Sequence, residues 1–199
     1  MRRGRIDGYG VKRQEILDAA ATLFAKAGYA NTKMTDIGRR CHASKSMLYH
    51  YFPGKEDLLF ELTREHAEGH LTALEEVLSA PLPPRERLRA FAAAWLRRSL
   101  ASRGRHTVLM YDLKFLPVRQ QRMILGLQRR MVERLAELIA EVAPAVREEG
   151  NHRPKVLALL LFGMLNWTDT WLDSSGPKSS DEIAERAHRL FLGGIAAER

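Results

Sequence analysis

The sequence is poor in cysteine and in long apolar runs. Its 199 residues include 1 cysteine, Cys41, which excludes a disulfide framework within one chain and suits a reducing compartment. The longest apolar run, Val156 to Leu165, is roughly half the length that a bilayer-spanning helix needs. The first residues are basic and contain glycine in place of an apolar core, which argues against a secretory signal peptide. We therefore expect a soluble, cytoplasmic protein with no membrane partner.

The sequence also lacks strand patterns and catalytic motifs. No stretch alternates apolar and polar residues with the period of a strand, and no repeat or low-complexity tract appears. Neither a Gly-x-Ser-x-Gly nucleophile motif nor a phosphate-binding glycine loop is present. These absences predict an all-α protein that is not an enzyme, with no catalytic residues and no cofactor.

Positive charge is concentrated in the first quarter of the chain. Through Lys55 there are 11 Lys and Arg against 4 Asp and Glu, although the whole chain has a net charge of only +8. Such a basic region attracts an anionic partner, with a merely solvated basic surface as the alternative. Residues 1–10 are interpreted as a flexible basic arm, which either lies along a DNA minor groove or is simply a disordered terminus.

The segment from Met34 to Lys55 predicts a helix-turn-helix. Thr35 can cap a short helix that ends near Arg40, and Ser44 can cap a second helix only a few residues later, so the two helices must cross steeply. The exposed side chains of this segment suit DNA phosphates and base edges. The predicted DNA-binding residues are Thr35, Ser44, Lys45, Ser46, Met47, Tyr49, His50 and Lys55.

This segment and its flanks resemble the TetR family of bacterial transcription regulators. The matching residues are Phe24, Gly28, Tyr29, Thr35, Ile37, Ser44, Lys45, Leu48 to Phe52, Lys55, Glu56, Leu58 and Leu59. The resemblance implies a homodimeric, ligand-responsive repressor whose two heads bind a palindromic double-stranded operator. Each head would contain three helices, and its predicted core is Phe24, Ile37, Leu48 and Phe52.

One turn departs from the family pattern. Where the family usually has Ala-Gly-Val, this chain has Cys41-His42-Ala43, so His42 stands where a glycine normally takes a positive φ. Histidine tolerates that conformation better than most side chains, but at an energetic cost. We expect this turn to be less stable than one containing glycine.

Helical spacing continues to the end of the chain and predicts about nine helices in all. We assign residues 1–54 to a DNA-binding domain and residues 55–199 to a helical domain for effector binding and dimerisation. Beyond the two motif helices, the predicted helices are Val11–Ala27, Lys55–Ser79, Arg85–Ala101, His106–Leu116, Val118–Val146, Lys155–Leu172 and Ser180–Ala197. Gly150 and Asn151 break the chain between two of them, Ser174 to Lys178 form a turn, and Ser179 with Glu182 fits a capping box.

The middle helices are rich in methionine and aromatic residues. Such side chains can line an effector cavity, and the family resemblance favours one, although simple core packing is the alternative for any single residue. The predicted effector-binding residues are Phe91, Trp95, Met110, Tyr111, Phe115, Met123, Leu127, Met131, Phe162 and Asn166.

The last two helices are the predicted dimer interface. The helix from Lys155 to Leu172 is apolar on nearly all sides, so one neighbouring helix cannot cover it. In TetR-like proteins the last two helices pair with their symmetry mates, whereas the alternative is an ordinary monomeric core. The predicted interface residues are Leu160, Met164, Trp167, Trp171, Leu190, Phe191 and Ile195.

His66 and His70 lie four residues apart, on one face of a predicted helix. The spacing suits a metal pair, but the zinc-protease motif is absent and no third ligand is evident nearby. We interpret both residues as part of a solvated face and predict no metal site. An enzyme that uses these two histidines to bind a metal is the alternative.

Two short stretches resemble acyl-CoA-responsive TetR-like regulators of lipid, steroid and aromatic-acid catabolism. They are Asn166-Trp167-Thr-Asp-Thr-Trp171 followed by Gly176-Pro177, and His106 to Pro117. The resemblance implies a CoA thioester or a related hydrophobic carboxylate as effector. Cations for the CoA phosphates would come from Arg119, Arg122, Arg129 and Arg130, unless these only pair with neighbouring glutamates. The alternatives are a neutral hydrophobic effector and a DNA-binding protein with no effector.

Overall fold

The computed structural model describes residues 3–147, 153–172 and 179–197, and over these residues the chain is helical with no strand. The described α-helices are α1 (Arg3–Ala27), α2 (Met34–Arg40), α3 (Lys45–Tyr51), α4 (Lys55–Ser79), α5 (Pro84–Ala101), α6 (Arg103–Tyr111), α7 (Val118–Val142), α8 (Arg153–Asn166) and α9 (Ser180–Ala197). Short 3-10 helices follow α6, α7 and α8. The prediction of an all-α chain with about nine helices is confirmed. No helix in the described ranges is long and apolar enough to cross a membrane.

The chain packs as two compact units. The first consists of Met1–His66 and Gly104–Ile124, and the second of Ala67–Arg103 and Leu125–Arg199. Helix α4 runs unbroken through the boundary at residue 66. The functional division at residue 54 stays a prediction, because a packing unit does not by itself assign a function.

The first unit is built on the core that the sequence predicts. Its buried side chains include Phe24, Ile37, Leu48 and Phe52, together with Leu58, Leu59 and Leu62 of α4. The segment after α6 belongs to the same unit, since the Phe115 ring stacks on Tyr29 with centroids 5.0 Å apart. Arg105 of α6 also pairs with Asp18 of α1 at 2.8 Å. The head therefore includes residues that lie far from it in the sequence.

Helix α1 begins earlier than the sequence predicts. It starts at Arg3, so the prediction of a flexible arm is wrong from residue 3 onwards. The three glycines in this stretch do not stop the helix, because each glycine in a helix costs only about 1 kcal/mol and no proline accompanies them. The Tyr9 ring also stacks on Tyr51 of α3, with centroids 4.5 Å apart, and it meets His50 edge-on.

Helix caps agree with the sequence at two of the positions that it marks. The backbone N–H of Met47 donates to Ser44 Oγ at 3.2 Å, and the N–H of Glu182 donates to Ser179 Oγ at 3.2 Å. The predicted cap at Ser44 and the Ser179 half of the predicted Ser179–Glu182 capping box are confirmed, whereas the predicted cap at Thr35 is wrong. Helix α2 already begins at Met34, and its first turn is held by Asp36 Oδ2, which accepts from the backbone N–H of Lys33 at 3.0 Å.

Two long helices end sooner than predicted. Helix α7 stops at Val142 because Pro144 lacks a backbone N–H, and the chain continues in a 3-10 turn to Arg147. Helix α8 stops at Asn166 and passes into a 3-10 turn, Trp167–Thr170. The predicted break at Gly150–Asn151 and the predicted turn Ser174–Lys178, which includes Gly176-Pro177, lie outside the described residues.

The second unit has one continuous apolar core in which α5 packs extensively on α9. Phe91 and Trp95 of α5, Leu135 of α7 and Phe162 of α8 are buried in it. Side chains of α9 also enter this core: Phe191 is 6% exposed and Ile195 is 7% exposed. We therefore remove these two residues from the predicted dimer interface, since their surface is already covered within one chain.

The two histidines of α4 are buried, so the prediction of a solvated face is wrong. His66 is 3% exposed and His70 is 1% exposed. They continue a stripe with the helical spacing of four residues that begins at Leu62 and ends at Leu74, both of which are buried. Leucines flank the two histidines on the same helix face, at a spacing of four residues. This spacing in the sequence therefore indicates that both histidines are buried.

Candidate functional site

The turn between α2 and α3 has the backbone geometry of a helix-turn-helix. His42 has φ 51°, so the predicted left-handed conformation is confirmed. The N–H of Ala43 donates to the carbonyl of Gly38 at 2.9 Å, and a Cβ on Gly38 would lie only 3.0 Å from the Ala43 carbonyl oxygen. This close approach sets the crossing of the two helices, and the buried Leu48 holds α3 against the head.

Helix α3 presents one row of side chains to solvent. Lys45, Ser46, Met47, Tyr49 and His50 are all exposed, as the sequence predicts. Two of them, Lys45 and Tyr49, line a hollow of about 130 Å³ between α2 and α3, together with Thr35. The hydroxyl of Ser44 is occupied by the helix cap. The row therefore combines a cation, hydroxyls and flat rings on a single short helix, which suits contacts with phosphates and base edges.

Lys55 is partly buried, and its ammonium is bonded to the loop after α1. Its ammonium donates to the carbonyl of Tyr29 at 2.8 Å and to that of Thr32 at 2.9 Å, and it lies 4.2 Å from the centre of the Tyr29 ring. Burial lowers the pKa of the Lys55 ammonium. These contacts attach the start of α4 to the loop after α1, which is a positioning role rather than the phosphate contact expected from the sequence.

Two arginines extend the basic surface beyond the predicted set. Arg39 and Arg40 at the end of α2 are exposed, and the guanidinium of Arg39 lies 3.5 Å from Asp36. By contrast, Arg13 pairs with Glu61 of α4 at 2.6 Å. The sequence could have indicated Arg39 and Arg40 as part of the basic surface, since they directly precede Cys41 in the turn. Only the fold shows that Arg13 is paired.

Part of the predicted effector-binding set comes together in the second unit. Phe162 packs edge-on against Trp95, with centroids 4.7 Å apart, and against Phe91 at 5.7 Å. The Trp95 Nε1–H donates to Asn166 Oδ1 at 2.9 Å. Met131 is buried in the same cluster, and Leu127 packs against it. The result is an aromatic and thioether-lined core with one internal polar pair.

The rest of the predicted effector-binding set lies in the first unit and is exposed. These residues are Met110, Tyr111, Phe115 and Met123. Within this unit the ring of Phe115 is engaged with Tyr29, and burial raises the pKa of the neighbouring Asp112 carboxyl.

The predicted interface residues of α8 and the turn after it form an exposed apolar stripe. Trp167 is 66% exposed, Leu160 is 57% exposed, and Met164 and Trp171 are exposed as well. Val156 and Leu159 join the stripe at helical spacing, although the sequence did not single them out. On α9, Leu190 is 70% exposed. An exposed apolar surface of this kind is typical of an interaction site.

Comparisons with known proteins agree with this architecture. The family model described as "Bacterial regulatory proteins, tetR family" matches residues 16–62, and the one described as "Tetracyclin repressor-like, C-terminal domain" matches residues 81–195. The HTH-type transcriptional repressor KstR2 of Rhodococcus jostii is 26% identical over 194 residues, which cover 96% of this chain and 94% of that protein.

Solved structures of similar fold cover most of the chain. A TetR-family transcriptional regulator from Bordetella parapertussis superposes with a TM-score of 0.86 at 34% identity, covering 90% of this chain and 93% of its own. AibR, solved with isovaleryl coenzyme A and operator DNA, gives a TM-score of 0.76 at 24% identity and covers 90% of this chain and 97% of its own. The second likeness is one of fold alone.

Proposed function

Since the chain belongs to the TetR family of transcriptional regulators, we propose that it is a homodimeric repressor that binds a palindromic operator and is released by a hydrophobic or CoA-thioester effector. Members of this family are regulators rather than enzymes, so the metal-dependent enzyme is no longer a competing function. We further propose that residues 1–54 bind DNA and that residues 55–199 bind the effector and form the dimer.

The exposed row on α3 is the observation that carries the DNA-binding role. A capped helix that presents Lys45, Tyr49 and His50 outward, next to the basic end of α2, matches what a recognition helix needs. We assign Lys45 and Arg39 to phosphate contacts and Tyr49 to a contact in the groove. We do not assign Lys55 to a DNA contact, because its ammonium is bonded to the carbonyls of Tyr29 and Thr32 and so orients the start of α4.

The exposed stripe on α8 supports dimerisation. Leu160, Met164 and Trp167 lie on one face of α8 and its 3-10 extension. Exposing that much apolar surface is unfavourable for a soluble monomer, and a two-fold interface would cover it with the same residues of a second copy. Two heads in one dimer would then meet two half-sites of a palindrome.

The aromatic core around Trp95 supports a hydrophobic effector. Its rings and the thioether of Met131 suit an acyl or aryl tail, and the Trp95–Asn166 hydrogen bond offers a polar pair that a thioester or carboxylate can replace. For the CoA phosphates, Arg129 of α7 is exposed in the same unit, whereas Arg119 and Arg122 belong to the first unit. Arg130 is a weaker candidate, because it lies 3.6 Å from Glu75.

Operator release measured against a panel of compounds tests the proposal. The operator would first be selected from random DNA, and fluorescence anisotropy would then follow release by acyl-CoAs, aryl-CoAs, the free acids and neutral hydrophobic compounds. We expect thioesters to release DNA at lower concentrations than the free acids. The variant Arg129→Ser should lose that difference, whereas the control variant Lys114→Ser, in the first unit, should keep it.

The outcomes separate the parts of the proposal. Release by neutral compounds with no response to any thioester would reject the CoA class and keep a hydrophobic effector. An operator affinity that no compound changes would favour the effector-independent DNA-binding protein. Failure to select any DNA sequence would reject the proposal that the protein is an operator-binding repressor.

A further inference from the structure

Helices α4 and α6 bury three histidines in one cluster. His66 and His70 lie one turn apart on α4, and His106 lies on α6; their exposures are 3%, 1% and 1%. His66 Nε2 is 3.4 Å from His106 Nδ1, within the first unit. The ligand nitrogens of all three residues lie within 4.8 Å of one another. The ring nitrogens of a buried histidine need partners, because leaving them unsatisfied costs free energy. Three buried histidines with converging nitrogens therefore point to a shared partner.

The spacing of these nitrogens fits one metal ion. Histidine nitrogens bind zinc at about 2.0–2.1 Å in tetrahedral geometry, so two such ligands lie roughly 3.3–3.4 Å apart. The separation between His66 and His106 already has that value. His70 follows His66 on the same helix face, so rotation of its side chain alone can bring its nitrogen to the ion.

We propose that His66, His70 and His106 bind a single divalent transition-metal ion of the zinc type. Neutral imidazole ligands select Zn²⁺, Co²⁺, Ni²⁺ or Cu²⁺ over Mg²⁺ and Ca²⁺, which prefer oxygen. Three protein ligands leave a fourth position for water, hydroxide or another anion. The ring of Trp95 lies 4.2 Å from the ring of His70 and shields that side chain from water.

The site would join α6 to α4 in the first unit through His66 and His106. The sequence did not reveal it, because His106 is 40 residues away from His66 and only the fold brings them together. The competing account is that the two rings share a hydrogen bond in a metal-free core. Both accounts place the same atoms 3.4 Å apart, so only metal binding distinguishes them.

Metal titration of the full-length protein provides the test. Protein purified with EDTA and then desalted would be titrated with ZnCl₂ and, separately, with CoCl₂. We expect one ion per chain and intense visible absorption bands from tetrahedral Co²⁺. We also expect Tm to rise by roughly 5–10 °C when free Zn²⁺ exceeds its dissociation constant about a hundredfold. MgCl₂ should leave Tm unchanged.

Variants assign the ligands. His106→Gln should weaken zinc binding at least about tenfold, whereas His188→Gln removes another buried histidine, on α9, and should bind zinc like the wild type. His106→Cys keeps a zinc ligand, so it should retain stoichiometric binding and add a thiolate-to-Co²⁺ band in the near ultraviolet. This variant controls for misfolding of the glutamine variant.

Two results would overturn the proposal. One is wild-type protein that binds neither zinc nor cobalt in the titration and shows no change in Tm. The other is unchanged affinity in the His106→Gln variant, which would place the ion elsewhere. Neither result would affect the DNA-binding proposal, because that role rests on α3.

Discussion

His42 is a backbone position at which a side chain opposes the turn. Its φ of 51° lies in the left-handed region, where an L-residue with a Cβ is disfavoured by roughly 1–2 kcal/mol. The side chain is exposed, and the turn is held by the Ala43 N–H to Gly38 carbonyl bond and by the Ser44 cap. The neighbouring contacts therefore impose the conformation of His42.

Replacing His42 with glycine should stabilise the protein. We expect the free energy of unfolding to rise by about 1 kcal/mol, because glycine adopts positive φ without a Cβ clash, although it also gains freedom in the unfolded chain. Urea unfolding at fixed protein concentration measures this. The control, Ala43→Gly, should have the opposite sign, since Ala43 is not at positive φ. A destabilised His42→Gly variant would show that the imidazole makes a compensating contact.

His188 should make stability depend on pH. Burial lowers the pKa of its imidazole from the ordinary 6.5. As the pH falls below 6.5, His188 takes up a proton in the unfolded chain but not in the folded chain. Its contribution to the free energy of unfolding is therefore fully present above pH 6.5 and is lost as the solution is acidified. The free energy of unfolding of the wild type should therefore fall from about pH 7 to about pH 5 more steeply than that of His188→Leu. Equal slopes would contradict a depressed pKa at this position.

At the level of elements, the sequence predicts a helix well where local chemistry sets its ends. Helix α4 begins after Pro53-Gly54 and runs to Ser79 as predicted, and α9 keeps its Ser179 cap. The start of α1 could not be predicted in this way, because the Tyr9–Tyr51 contact depends on tertiary packing. The same is true of the histidine cluster, whose members come from separate helices.

Helix α3 carries the most direct prediction about DNA. Lys45→Ala should weaken binding to all DNA sequences and reduce the slope of log affinity against log salt by about one unit, because one phosphate contact is lost. The control, Lys155→Ala, removes the same charge from α8 and should leave the slope unchanged. Equal slopes for wild type and Lys45→Ala would remove the phosphate contact from the proposal.

At the level of the whole molecule, the sequence predicted an apolar α8 but could not divide its surface or that of α9 between core and interface. Leu190 and Phe191 are neighbours with similar hydrophobicity, yet the first is exposed and the second is buried. The direction of each side chain depends on how α9 rests on α5, which no local pattern encodes. The proposed interface therefore keeps Leu190 and loses Phe191.

Leu160→Glu should separate the dimer while keeping the fold. It places a charge in the proposed apolar interface, where burial of a carboxylate is strongly unfavourable, but it leaves the core of the second unit intact. Light scattering should show a monomer with helical circular dichroism, and operator affinity should fall. Leu82→Glu is the matched control, because Leu82 is an exposed leucine outside the stripe, and it should remain a dimer. Wild-type protein that is monomeric at micromolar concentration would refute the interface.

The first unit is built from two separate stretches of the chain, which limits how this regulator can be re-engineered. Residues 104–124 complete the head: Phe115 stacks on Tyr29, Arg105 pairs with Asp18, and Gly104 lies so close to α1 that a Cβ would be 3.2 Å from the Ala21 carbonyl oxygen. A chimera cut near residue 54 or 66 would graft an incomplete module onto a foreign effector domain. A transplant that preserves the DNA specificity of this protein must carry two separate segments of its gene.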